Sequence, residues 1–270
     1  MLQLCKHQIC KGGFAFSMKT KLRRCFIFFC CIMLIAPLCA QRVYATEDVG
    51  VEGEKWHYSL IYSEEVPSTP NVVIIYLHGD NSTGTKVEHL DRLNDIEHPV
   101  RYAREGRLEL PDDTIMICPQ ANYDGQFRTE QEALEEFIHQ FREMYPDALI
   151  ILSGASHGSL ATYKIAATEN PDVDAYVFIA GIKPGEAKEL PQINNALVVF
   201  GDEPWLQKRY QYSVLFNDVD ITSEEYRKVS QHWEEETNNA YFRGPWHHGN
   251  TPLIFLEDFF WEWLNSISYN

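Results

Sequence analysis

The chain has 270 residues, 45% hydrophobic and 13% aromatic, with a formal net charge of −16. That length allows one large or two small domains, and that apolar content supports a sizeable core, which excludes disordered and fibrous classes. So acidic a surface repels phosphate backbones and anionic lipid, so nucleic-acid binding is excluded as the expected function.

Residues 1–45 differ from the rest. Lys19, Lys21, Arg23 and Arg24 precede Cys25–Ala40, an uncharged run, and Val43-Tyr44-Ala45 supplies a small-x-small site. A basic start, a short apolar stretch and a small-residue site are the order of a secretory signal. The apolar run is shorter than the roughly 20 residues of a membrane span. Residues 1–45 are therefore expected to be an export leader, with Met18 as a candidate true start. The expected location is the periplasm or outside the cell; an uncleaved membrane anchor is the alternative. No membrane span is expected after processing. This segment holds seven basic residues and no acidic ones, so residues 46–270 carry 16 basic against 39 acidic, a net of −23. Six of the seven cysteines also lie here; Cys118 alone remains, and no intrachain disulfide is possible beyond the leader.

After the leader, Lys55–Tyr62 alternates weakly and predicts an early edge strand. Asn71–Leu77 (NVVIIYL) is a continuous β-branched run, suited to a strand covered on both faces. Lys86–Arg104 predicts a helix interrupted near Pro99, and Thr114–Cys118 a buried strand. Thr129–Tyr145 predicts a helix with Thr129 and Glu132 as a capping box and Ala133, Phe137, Ile138 and Phe141 on one apolar face. Ala148–Leu152 predicts a third buried strand, followed by a helix from about His157 to Thr168. Ala175–Ala180 and Ala196–Phe200 predict strands, Ser223–Glu236 a helix, Ala240–Phe242 a short strand and Thr251–Ser266 an amphipathic helix. This alternation predicts an α/β fold: a mostly parallel sheet with helices on both faces, forming one domain over residues 46–270. Glu203–Thr222, with Trp205, Tyr210, Tyr212 and Phe216, is the candidate lid.

The segment ALIILSGASHGSL carries the strongest chemical signal. A buried strand, the turn Gly154-Ala155-Ser156-His157-Gly158 and a helix start together make a nucleophile elbow, which lifts a serine hydroxyl clear of the sheet. The flanking residues must be small because the backbone is crowded there.

On these residues the chain resembles the α/β-hydrolase family over nearly all of its length after the leader. The resemblance implies the family's three-layer α/β fold and a serine nucleophile, Ser156. Tyr76-Leu77-His78-Gly79-Asp80 looks like the family's His-Gly loop. It implies an oxyanion hole built from the N–H of Asp80, or of its neighbour Gly79, and the N–H of His157. The family's order of serine, acid and histidine implies His248 in Pro245-Trp246-His247-His248-Gly249 as base, with His247 as fallback. The acid should follow the strand ending at Phe200. The family's usual position, three residues after Gly201, holds Pro204, a departure from the pattern. Asp202 is the first choice and Glu203 the second, with Asp218 and Asp220 further off.

No metal is expected: two adjacent histidines do not converge on one ion, and neither a His-Glu-x-x-His motif nor a cysteine cluster is present. No cofactor is needed. His89, His98, His139 and His232 lie on polar segments and are expected at the surface. Cys118 is expected to be buried filler, and the sequon Asn81-Ser82-Thr83 to be unused. The implied activity is hydrolysis of a small-molecule ester or acyl substrate. The alternatives are a peptidase or acyltransferase on the same fold, or a non-catalytic binding protein on a degenerate one.

Overall fold

The computed structural model describes residues 45–50, 55–181, 193–201, 231–234, 237–244 and 247–268. The chain divides into Met1–Gln41 and Arg42–Asn270, and all described residues belong to the second unit.

The described strands are β1 (Ala45–Val49), β2 (Tyr58–Tyr62), β3 (Val72–Leu77), β4 (Thr114–Pro119), β5 (Leu149–Ala155), β6 (Ala175–Ile179), β7 (Ala196–Phe200), β8 (Gln231–Glu234) and β9 (Asn239–Arg243). They form one sheet in the order β1-β2-β4-β3-β5-β6-β7-β9-β8. Strands β4, β3, β5, β6, β7 and β9 pair in parallel. The contacts β1–β2, β2–β4 and β8–β9 are antiparallel. All six residues of β3 and all six of β4 are buried, as continuous apolar runs covered on both faces require.

The helices are α1 (Pro99–Arg104), α2 (Gln126–Thr129), α3 (Gln131–Met144), α4 (His157–Ala166) and α5 (Asp258–Ser268). On one face, Leu134, Phe137, Ile138 and Phe141 of α3 join Ala161 and Ile165 of α4 over Val73, Ile75 and Leu152. On the other, Val100 and Tyr102 of α1 and Phe260, Trp263 and Leu264 of α5 cover Ile74, Met116 and Val199. The result is a three-layer arrangement, with helices on both faces of a mostly parallel sheet. Phe259, Phe260 and Trp263 are core residues, with the Trp263 indole N–H donating to the Asn238 carbonyl at 2.9 Å.

Four local expectations are corrected. The Thr129–Glu132 capping box does not form: Thr129 ends α2, its hydroxyl donates back to the carbonyls of Gly125 and Gln126, and Glu130 stands at the N-cap of α3. Gln231–Glu234, expected inside a helix, is β8, because pairing with the exposed edge of β9 outweighs a weak helical propensity. The terminal helix is split into a 3-10 segment, His248–Leu256, and α5; Pro252 inside the first part has no N–H for an α-helical bond. The edge strand is β1 rather than the Lys55–Tyr62 segment. Residues 223–230 of the expected helix and the candidate lid Glu203–Thr222 lie outside the described residues.

Arg104 of α1 secures this edge. Its guanidinium donates to both carboxylate oxygens of Asp48 at 2.9 Å, to Asp91 at 3.2 Å and to the Thr46 hydroxyl at 3.3 Å. The contacts are partly solvated, so Arg104→Ala is expected to cost only about 1 kcal/mol. Limited proteolysis at β1 should quicken more than global unfolding, which chemical denaturation would measure separately.

Candidate active site

Strand register brings three loops level. Leu77 pairs with Gly154 and Ala155 with Ile179, so the chain leaves β3, β5 and β6 at one height on the carboxyl edge of the sheet. Ser156 emerges there between β5 and α4. Its φ of 51° and ψ of −113° lie outside the regions open to an L-residue without strain, and its N–H donates to the Ile179 carbonyl at 2.8 Å.

Backbone crowding explains the glycines. A Cβ on Gly158 would lie 2.1 Å from the Leu77 carbonyl oxygen, and one on Gly154 2.3 Å from the Gly158 oxygen. A Cβ on Gly79 would come within 3.1 Å of the Ser156 Cβ, which seats the His78-Gly79 loop against the serine. Gly181, not singled out from the sequence, would meet the Ser156 carbonyl at 2.3 Å. Its signal was its place just past the end of a strand next to the elbow strand.

His78 is fully buried and organises the loop. The Ala121 N–H donates to its Nε2 at 2.9 Å, so Nδ1 carries the proton and donates to the Gly79 carbonyl at 2.5 Å. In a trans peptide the carbonyl and the next N–H point opposite ways. Fixing the Gly79 carbonyl to His78 therefore turns the Asp80 N–H away from the buried ring. The Asp80 and His157 N–H groups donate to no protein acceptor among the described residues, and His157 opens α4, where amides are left free by helix geometry. Three further bonds hold the loop: Asn81 N–H donates to the Asp124 carboxylate at 2.9 Å, and Gln120 Nε2 donates to the carbonyls of Ser82 and His89. The side chains of Asp80 and His157, both half-buried, meet through Oδ2 and Nδ1.

Burial pushes the His78 imidazole down to about 4, against a smaller upward pull from its bond to Gly79 and the charges of Asp80 and Asp124. His98, expected at the surface, is also fully buried; burial lowers its basicity, and its Nδ1 accepts the Val100 N–H at the start of α1. Both rings are neutral when folded and protonate more readily when unfolded. Their contribution is complete above the unfolded value near 6.5 and is lost as pH falls below it, for His78 toward about 4. For His78 the loss amounts to roughly 3 kcal/mol. Urea midpoints measured from about pH 7 down to about pH 4.5 should fall, and His78→Gln should flatten part of that slope. Cys118 is buried, and burial holds its thiol protonated.

The remaining triad candidates are less fully placed. His247 is the exposed N-cap of the 3-10 segment that His248 opens. The His248 side chain, Asp202, Glu203, Asp218 and Asp220 lie outside the described residues. The strands leading to them are β7 and β9, both parallel to β6, so the chain leaves Phe200 and Arg243 at the same sheet edge as Ser156. A large surface cavity lined by Asn71, Asp113, Arg142 and Asp147 opens at the opposite, amino edge and is remote from this chemistry. Among the described residues no group of three or more histidine, cysteine or carboxylate side chains is placed to hold a metal.

Neither a protein-family model nor a curated protein matches the chain. Among solved structures it is similar to a thermostable esterase, at 15% identity and a TM-score of 0.49 over 83% of this chain and 62% of the esterase. It is also similar to the S-formylglutathione hydrolase of Staphylococcus aureus, at 14% and 0.45 over 82% and 96%. A feruloyl esterase module from Clostridium thermocellum matches at 12% and 0.45 over 79% and 88%. The chain thus spans less than two thirds of the thermostable esterase, and at these identities the likeness is one of fold.

Proposed function

We propose that the protein is a serine hydrolase that cleaves carboxylic esters through an acyl-enzyme on Ser156. The observation that carries this reading is the backbone of Ser156: a non-glycine residue at φ 51° between a buried strand and a helix, packed between Gly79 and Gly181. Strain of this kind costs about 1–3 kcal/mol and collects at functional sites.

In this reading the Ser156 hydroxyl attacks the ester carbonyl carbon while His248 takes its proton. The carbonyl oxygen becomes an oxyanion, held by the N–H groups of Asp80 and His157. The C–O bond to the alcohol breaks, the leaving oxygen takes the proton from His248, and the acyl group stays on Ser156. Water, deprotonated by the same histidine, then releases the acid and restores the serine. Asp202 is assigned to orient His248, on its place after β7. Residues 1–45 are assigned as an export leader, on their basic-apolar-small order.

A fluorophosphonate probe tests the reading. Labelling confined to the tryptic peptide that contains Ser156 is the expected result. Absence of labelling, together with no turnover of p-nitrophenyl acetate, would overturn it in favour of a non-catalytic protein.

A further inference from the structure

The two amides assigned to the oxyanion hole belong to different segments. One follows β3 and the other opens α4. The ladder joining β3 to β5 ends at Leu77 and Gly154. Asp80 and His157 each stand three residues beyond that last pair. The two residues are tied together there through their side chains, carboxylate oxygen to ring nitrogen.

We propose that the Asp80–His157 side-chain pair is a positioning device that sets the spacing of the two oxyanion-binding amides. This rests on the reading of Ser156 as nucleophile, and goes beyond it by assigning a task to two side chains that the reaction itself does not touch. An oxyanion hole works only if two donors aim at one oxygen, each about 2.7–3.1 Å away. The β3 donor sits on a loop of three residues past the sheet, and its direction depends on the peptide that His78 holds. His78 sets the orientation of the Asp80 N–H; it does not set its distance from α4. The Asp80 carboxylate closes that gap by reaching across to the residue that supplies the second amide. One link thus joins both donors directly.

The surroundings favour a rigid link. The Nδ1 atom of His157 is shielded from solvent although the side chain as a whole is about one-third exposed. On the helix side, Gly158 packs against the Leu77 and His78 carbonyls, so α4 cannot slide along β3. On the loop side, Asn81 is held by Asp124. The pair lies between these two anchors.

A device of this kind acts in the transition state, where the oxyanion exists, and leaves ground-state binding alone. Asp80→Asn, His157→Gln and the double variant are compared with the wild type on p-nitrophenyl acetate. Each single variant is expected to lose roughly 10- to 100-fold in kcat with KM within about twofold. The double variant should be no worse than the poorer single one, because both break one link. Affinity for a trifluoromethyl ketone, whose hemiketal presents an oxyanion, should fall in parallel with kcat. If Asp80→Asn does not fold, His157→Gln carries the same expectation.

An unchanged kcat, a rise in KM alone, or losses that multiply in the double variant would each overturn the proposal. The last two would make these side chains independent substrate contacts. Failure of the underlying reading is distinguishable, since the wild type would then neither turn over the ester nor label at Ser156.

Discussion

Replacing Ser156 with alanine is expected to lower kcat for p-nitrophenyl acetate by roughly 10⁴- to 10⁶-fold and to abolish fluorophosphonate labelling. The fold should survive, because the hydroxyl is not part of the core. A second substitution at the same position reads out the strain. Glycine normally destabilises a site by about 0.5–1 kcal/mol relative to alanine, through its freer unfolded chain. At φ 51° and ψ −113° that order should reverse, because glycine occupies this region without a Cβ clash. Ser156→Gly should therefore be inactive yet more stable than Ser156→Ala by about 1 kcal/mol, measured as the difference in urea midpoint multiplied by the common slope. If alanine proves the more stable, the backbone at Ser156 is unstrained and the main support for a nucleophile there is gone.

The second large effect is expected at Gly158. A Cβ there would meet the Leu77 oxygen at 2.1 Å and the His78 oxygen at 2.7 Å. These are backbone atoms at the end of a central strand, so no side chain can swing aside. Either the start of α4 must lift or the His78-Gly79 loop must move. Overpacking of this kind costs about 1–3 kcal/mol or more. A displacement near 1 Å at the reacting centre also costs about 100-fold in rate. Gly158→Ala should show both losses together, in chemical denaturation and in kcat. Gly249→Ala is a fair control for stability, since a Cβ there meets nothing within 4 Å. It should move the unfolding free energy by no more than about 0.5 kcal/mol.

Much of this arrangement was legible in the residues. The runs VVIIYL, TIMIC and ALIIL announce strands buried on both faces, because few other structures hide so many β-branched side chains in so short a span. Gly154 and Gly158 around Ser156 announce a turn too tight for a side chain. Strand β1 was not legible: ATEDV is polar, and only its pairing with β2 and the reach of Arg104 make it a strand. Strand β8, with the sequence QHWE, was hidden for the same reason. The buried state of His98 was missed because the surrounding segment is polar; its ring serves as a helix cap beneath Tyr76. The part played by His78 needs the position of Ala121, which is 43 residues away and comes near only once β3 and β4 pair. Likewise the Asp80–His157 pair follows from register, which no local pattern encodes. Asp202, Glu203 and His248 retain the standing that the order of serine, acid and histidine gives them.

The register that levels β3, β5 and β6 has a consequence for how such a chain tolerates change in length. Losing one residue within β5 would draw Ser156 back by about 3.3 Å relative to Gly79 and turn each following side chain to the opposite face. Losing one within β3 or β6 would withdraw Gly79 or Gly181 from the serine in the same way. Insertions in the mostly exposed connection between Glu64 and Asn71 add length without moving either end of a central strand. Length variation among relatives of this protein is therefore expected to collect in that connection, and the three central strands to keep a constant count.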